Sequence, residues 1–174
     1  PRRGSNTYGF YKSGWRGVLI DMEADKVRVA KLARRRDMVV QAAVSDRVEN
    51  VDIYSPGDFS TNATIDVEAA AHHPEYRRLH QVKTETLTEI LGRCDCPSQF
   101  DFLNIDCEGN DFRVLKGLAL DRYAPKVICI EIWESKQGLD GLMTSEIHQY
   151  LQAHEYELRS WSIFSAIYVR RASV

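Results

Sequence analysis

Short, mainly apolar runs recur along this chain between segments of helical period, and that alternation restricts the fold more than any other feature. Gly17-Val18-Leu19-Ile20, Met38 to Val44, Phe100 to Ile105 and Lys126 to Ile132 are runs of strand length. Such runs mark strands buried on both faces. Between them, Glu23 to Arg36 spaces Val27, Ala30, Lys31 and Leu32 for one inward helix face, and a short helix follows from Asn110 to Gly117. Thr86, with Glu89 three residues on, predicts a capping box for a helix reaching Gly92. Thr144 or Ser145 opens another helix, to His154. Val51 to Tyr54 alternates like an edge or hairpin strand, and His80 to Thr86 is a short strand. Residues 155–161 and 166–170 are placed to pair as an antiparallel hairpin. Strands separated by helices predict an α/β fold. Its form is a doubly wound, mostly parallel sheet with helices on both faces and a C-terminal antiparallel hairpin.

The 174 residues suit one domain, and 44% apolar with 28% charged residues is the mix of a globular core with a wet surface. With 23 basic and 25 acidic residues the net charge is -2, which gives no general attraction to nucleic acid or anionic lipid. Arg34-Arg35-Arg36 reads as a solvated helix end, where cations oppose the dipole. No run of ~18 apolar residues and no signal-peptide pattern occurs, so neither a span nor secretion is indicated. Cys107 and Cys129 lie in apolar runs, as core residues do. Cys94 and Cys96 form a C-x-C pair without a second pair at zinc spacing. Nothing resembles a disulfide framework, so a reducing, cytoplasmic setting is expected. Residues 56–80 are polar, with Pro56, Gly57 and Pro74, and read equally as a binding loop or a surface insertion.

In doubly wound sheets ligands gather beyond the carboxyl ends of the strands. Asp21 follows the first run; it suits a ribose diol, or else caps the next helix. Ala42-Ala43-Val44-Ser45-Asp46 follows the second. Its small side chains leave room for a flat ring, and Ser45 or Asp46 can accept from an exocyclic amine or simply make a turn. Asn104-Ile105-Asp106-Cys107-Glu108-Gly109 follows the third. Its carboxylates suit a general base or a hard metal ion. Stabilisation of a helix N-terminus accounts for Glu108 and Asp111, but poorly for an Asp106 buried beside an apolar strand. Glu131 interrupts the fourth run, where a charge is usually paired or functional. Trp133 beside it suits a core position or a pocket wall. His72, His73 and His80 are outsiders that closure of a lid would bring in. No G-x-G-x-x-G occurs, against a nicotinamide enzyme. Two rival readings stand: a metal-dependent hydrolase using Asp106, Glu108 and Glu131, and a non-catalytic binding domain.

Taken in order, these segments resemble the FkbM family of S-adenosylmethionine-dependent methyltransferases. Ser5-Asn6-Thr7-Tyr8 with Gly14-Trp15-Arg16-Gly17 is similar to its SNTY and GWRG segment, and Leu19-Ile20-Asp21 to its second-strand ending. Ala42 to Asp46 resembles its AAVSD element, Phe100 to Gly109 its DFLKIDVEG signature, and Leu115-Lys116-Gly117 its VLKG ending. Ile130-Glu131 resembles the strand after it, so the likeness runs from Ser5 to about Tyr168. It implies a class I, Rossmann-like methyltransferase that transfers a methyl group, most often to a hydroxyl oxygen on a sugar or natural-product scaffold. It also implies that Asp21 holds the cofactor ribose and that Ala43, Ser45 and Asp46 line its adenosine. Asp106 would lie near the methionine moiety or the acceptor, Glu108 would assist as base or packing anchor, and Asn6 and Thr7 would face the cofactor. The family carries a strand and a glycine-rich loop before SNTY. This chain opens at Pro1-Arg2-Arg3-Gly4 with no apolar run, so that first strand is expected to be missing from it, with Gly4 as a remnant.

Overall fold

A computed structural model of the chain describes residues 5–57 and 62–171, so the expectation for Gly4 lies outside the described residues. In chain order the elements are α1 (Tyr8–Lys12), β1 (Val18–Asp21), α2 (Ala24–Ala33), β2 (Met38–Gln41), β3 (Ala43–Ser45) and β4 (Asn50–Ser55). Then come α3 (Val67–Ala71), β5 (Arg77–Thr86), α4 (Leu87–Arg93), β6 (Phe102–Ile105), α5 (Asp111–Lys116) and β7 (Val127–Glu131). A 3-10 turn (Trp133–Gln137) leads to α6 (Leu139–Thr144), α7 (Glu146–Ala153), β8 (Tyr156–Ser162) and β9 (Ser165–Arg170).

The result is a mixed α/β fold whose hydrogen bonding divides into sheets β1-β2, β3-β5-β4 and β6-β7-β9-β8. Pairs β1/β2, β3/β5 and β6/β7 are parallel, whereas β4/β5, β7/β9 and β8/β9 are antiparallel. Parallel pairs thus do not predominate among the described residues. The expected strand from Met38 to Val44 breaks at Ala42: its first part pairs with β1 and its second with β5. Within the polar stretch 56–80, residues 62–80 are more ordered than their composition predicts. Thr64 bridges to Tyr54, α3 forms behind an Asp66 cap, and β5 already begins at Arg77. The capping box at Thr86 and Glu89 forms as the sequence predicts, and β8 and β9 make the expected hairpin.

One large core gathers β6, β7, α4, α5, α7 and the hairpin around Leu115, Ile128, Ile130, Leu151 and Tyr168, all fully buried. Ile20, Val44 and Leu103 pack on it from β1, β3 and β6. Strands β1 and β2 are only half-buried or exposed along their lengths, because among the described residues β1 pairs with β2 alone. The inward face of α2 is narrower than its periodicity predicts. Val27 and Ala30 are buried, but Lys31 and Leu32 face solvent.

Arg34 corrects the reading of a solvated basic run. It is buried, and its guanidinium meets Asp37 Oδ2 at 2.7 Å while donating to Thr7 Oγ1 at 2.7 Å. Asp37 Oδ1 in turn accepts the Gly17 N–H at 3.0 Å. The Arg34 fork therefore bolts α1 to the corner between α2 and β2. Arg36 adds a contact to the Tyr11 carbonyl and lies 4.0 Å from the centre of the Tyr11 ring.

Candidate functional site

The turn between β6 and α5 is built by a side chain that closes on its own loop. Buried Asp111, in the first turn of α5, accepts the Cys107 N–H at Oδ1 (2.9 Å) and the Gly109 N–H at Oδ2 (3.1 Å). Those bonds hold two successive residues in the left-handed region, Glu108 at φ 51° and Gly109 at φ 96°. Positive φ is costly for a residue such as Glu and marks a position the surroundings over-determine. Gly109 is required twice over: for its φ, and because a Cβ there would stand 3.0 Å from Ala69 Cβ. Thr64 Oγ1 donates to the Glu108 carbonyl at 2.9 Å, tying the segment before α3 to the same turn.

This turn presents two carboxylates. Asp106 was expected to be buried; instead it is exposed. Among the described residues, the carboxylates of Asp106 and Glu108 have no hydrogen-bond or ion-pair partner. Glu131, at the end of β7, is half-buried and accepts from Trp133 Nε1 at 2.8 Å. Ile105 and Ile130 are in register, so Asp106 and Glu131 leave adjacent parallel strands side by side. Asp21, at the end of β1, accepts the Glu23 N–H at 2.9 Å, and its carbonyl accepts the Ala42 N–H at 3.1 Å.

Electrostatic interactions link Asp106, Glu108 and Glu131. Desolvation pushes the pKa of Asp21, Asp106, Glu108 and Glu131 above the ordinary carboxylate range. The charges of Glu131 and Asp106 push Glu108 further up, while Lys26 and His73 act against the shift. Lys26 also acts on Asp21, and Asp21 and Asp106 both bear on half-buried Cys107. Burial raises Asp111 most, to about 7, against the effect of its two backbone hydrogen bonds.

The remaining sequence candidates are placed as follows. Ala43 is buried in β3 beside the Asp21–Ala42 contact. Ser45 is fully buried, its Oγ 3.2 Å from Asp46 Oδ1. Asp46 pairs with Arg113 at 3.0 Å and Lys116 at 3.7 Å. Although burial opposes it, the Arg113 bond holds the Asp46 carboxyl below its ordinary pKa. A ligand amine at Asp46 would compete with that ion pair. Asn6 donates to Asn104 Oδ1 at 3.0 Å and so stands on β6, while Thr7 accepts from Arg34. Asp106, Glu108 and Glu131 are thus brought near one another, Asp21 stands at the end of β1, and Ser45 and Asp46 are turned toward α5.

Beside Glu108 lies a cleft of about 140 Å³ with His73, Glu75, Tyr76 and Trp133 on its walls. His73 was taken from sequence as an outsider needing a lid to reach the site; it already shares this cleft with Glu108. His72 instead bonds the Glu68 carbonyl, and His80 is exposed on β5. Sequence reasoning missed the turn-closing role of Asp111, the bolt at Arg34 and the tie at Thr64. Asp111 carried a faint signal, an acid closing the run Asp106-Cys107-Glu108-Gly109-Asn110. Among the described residues, no three His, Cys, Asp or Glu side chains are grouped to hold a metal ion, and no helix is long and apolar enough to cross a membrane. All four cysteines are free thiols.

Acidic side chains thus follow the ends of parallel strands in this mixed α/β fold. The methyltransferase FkbM domain matches residues 2–158, and the chain belongs to that family of methyltransferases. The match ends inside β8 and does not extend to the Tyr168 of β9 that the motifs reach. Neither curated proteins nor solved structures give a match to the chain.

Proposed function

We propose that this domain is a class I, Rossmann-like methyltransferase that takes its methyl group from S-adenosylmethionine and delivers it to a hydroxyl oxygen on a sugar or natural-product acceptor. The observation that carries the reading is the pair of carboxylates at the end of β6, Asp106 and Glu108, unpartnered among the described residues, with Glu131 leaving the adjacent parallel strand beside Asp106 and Asp21 at the end of β1. Carboxylates whose pKa values are raised suit a ligand of fixed positive charge, and a sulfonium is one. When bound, that group supplies an already activated methyl.

The protein's work is then alignment and exclusion of water. Asp21 keeps lone pairs for a ribose diol after accepting the Glu23 N–H. Ala42 and Ala43 leave a small-residue shelf beside it for the adenine, with Asn6 and Thr7 on the opposite side at β6 and α2. Asp106 faces the methionine end. Glu108, which lines the cleft, would stand on the acceptor side of the site. The metal-dependent alternative finds no three-ligand group among the described residues.

The test is methyl transfer by the full-length protein with labelled S-adenosylmethionine. Asp106→Asn lowers turnover by more than tenfold while cofactor affinity changes less. Unchanged turnover removes Asp106 from the chemistry.

A further inference from the structure

An acceptor hydroxyl must lose its proton as it is methylated, and the β6 turn is not the only place where a proton acceptor stands. His73 follows α3, where its N–H bonds the Ala70 carbonyl at 3.1 Å and its carbonyl accepts the Tyr76 N–H at 3.0 Å. That turn is anchored. Asp66 caps α3 at the Ala69 N–H, Thr64 is tied to Glu108, and the Tyr76 hydroxyl donates to the Asn62 carbonyl at 2.6 Å. His73 Nδ1 stands 3.3 Å from Glu75 Oε1. A carboxylate at that ring nitrogen biases the proton to Nδ1 and leaves Nε2 as the acceptor, the orientation a general base requires. The Tyr76 ring packs 5.2 Å from the imidazole. His73, Glu75, Tyr76 and Trp133 line one cleft with Glu108.

The size of the cleft also constrains its ligand. About 140 Å³ is well below the ~300–1,000 Å³ of sites that engulf a drug-sized molecule, so it admits one hydroxylated ring or arm of an acceptor.

We propose that this cleft receives the hydroxyl-bearing end of the acceptor and that His73, held by Glu75, takes its proton. The proposal rests on the methyltransferase reading. As the acceptor oxygen bonds to the methyl carbon, the carbon–sulfur bond breaks with its electron pair left on sulfur. The O–H proton passes to His73 Nε2. The resulting imidazolium keeps its contact with the Glu75 carboxylate and shares the cleft with Glu108; these charges stabilise it, and it returns the proton to water after the product leaves.

The test uses the full-length protein, methyl-labelled S-adenosylmethionine, and three acceptor probes: cyclohexanol, cis-cyclohexane-1,2-diol and a methyl glucoside. Transfer to a probe is expected to fall about a hundredfold or more in His73→Ala, with S-adenosylhomocysteine affinity within twofold of wild type. Glu75→Gln, which keeps the shape but not the charge, is expected to lose about tenfold. Unchanged transfer in His73→Ala alongside its loss in Glu108→Gln overturns the proposal and makes Glu108 the base. Nitrogen-15 NMR of the His73 imidazole provides a second readout during titration with the same probes. A shift that Trp133→Ala abolishes supports the cleft as the acceptor site even where no probe is methylated; an unmoved resonance overturns it. Failure of S-adenosylhomocysteine to bind counts against the methyltransferase reading alone, because the imidazole titration still decides the cleft.

Discussion

Asp111 Oδ2 accepts the backbone N–H of Gly109 at 3.1 Å, so the helix that follows the β6 turn also fastens the turn. The position of Glu108, between Cys107 and Gly109, follows from the two N–H groups that Asp111 accepts. Replacing Asp111 by Ala leaves the N–H groups of Cys107 and Gly109 without their acceptor and is expected to destabilise the fold by ~1–3 kcal/mol. Urea unfolding measures that loss.

The same group gives stability a pH dependence. Burial raises its pKa from the ordinary 3.8 to about 7, so the folded state favours the protonated form. The stability this contributes is fully present below pH 3.8, is lost as pH rises through about 7, and is level above that. Asp111→Asn removes the slope. The difference in unfolding free energy between wild type and variant should therefore change between pH 4 and pH 8; a constant difference contradicts the assignment.

Arg34 and Asp37 form an ion pair whose side chains are 4% and 0% exposed. Arg34→Ala strands a buried carboxylate and is expected to cost about 3–5 kcal/mol. Arg34→Lys should not restore it, since one ammonium cannot serve Asp37 and Thr7 in the fork geometry. Hydrogen exchange at Tyr8–Lys12 should quicken in both variants, because α1 is docked through Thr7.

Two glycines separate steric need from helix propensity. A Cβ on Gly117 would stand 2.3 Å from the Ser45 carbonyl oxygen, so Gly117→Ala is expected to destabilise by ~1–3 kcal/mol. On Gly92, inside α4, the nearest atom would be 3.7 Å away. Gly92→Ala should stabilise by ~0.5–1 kcal/mol. Thermal unfolding of the two variants should move in opposite directions.

What was legible in the sequence followed from local chemistry. Thr86 and Glu89 form their capping box because both partners lie within one helical turn. The apolar run of β7 folds as a buried strand because both its neighbours, β6 and β9, are present. Sequence alone did not show that Ala42 divides one run between two strand partners. Nor did it show that Leu32 faces water although its spacing matches the buried positions of α2. Both depend on which distant strands lie alongside. Within the site, Asp106 and Glu108 were visible as a pair of acids after a strand. Their contrast with Asp46 was not, because Arg113 is 67 residues away in the chain. His73 stood out only as a loop histidine, since the tie from Thr64 to Glu108 spans 44 residues.

The central claim is that the acids at the strand ends hold S-adenosylmethionine, with Asp21 on its ribose. Isothermal titration of S-adenosylhomocysteine into the full-length protein and its Asp21→Ala variant tests it most directly. The account predicts binding to the wild type and a more than tenfold weaker affinity in the variant, ~1.4 kcal/mol or more. No binding to the wild type, or equal affinity in the two proteins, would contradict it.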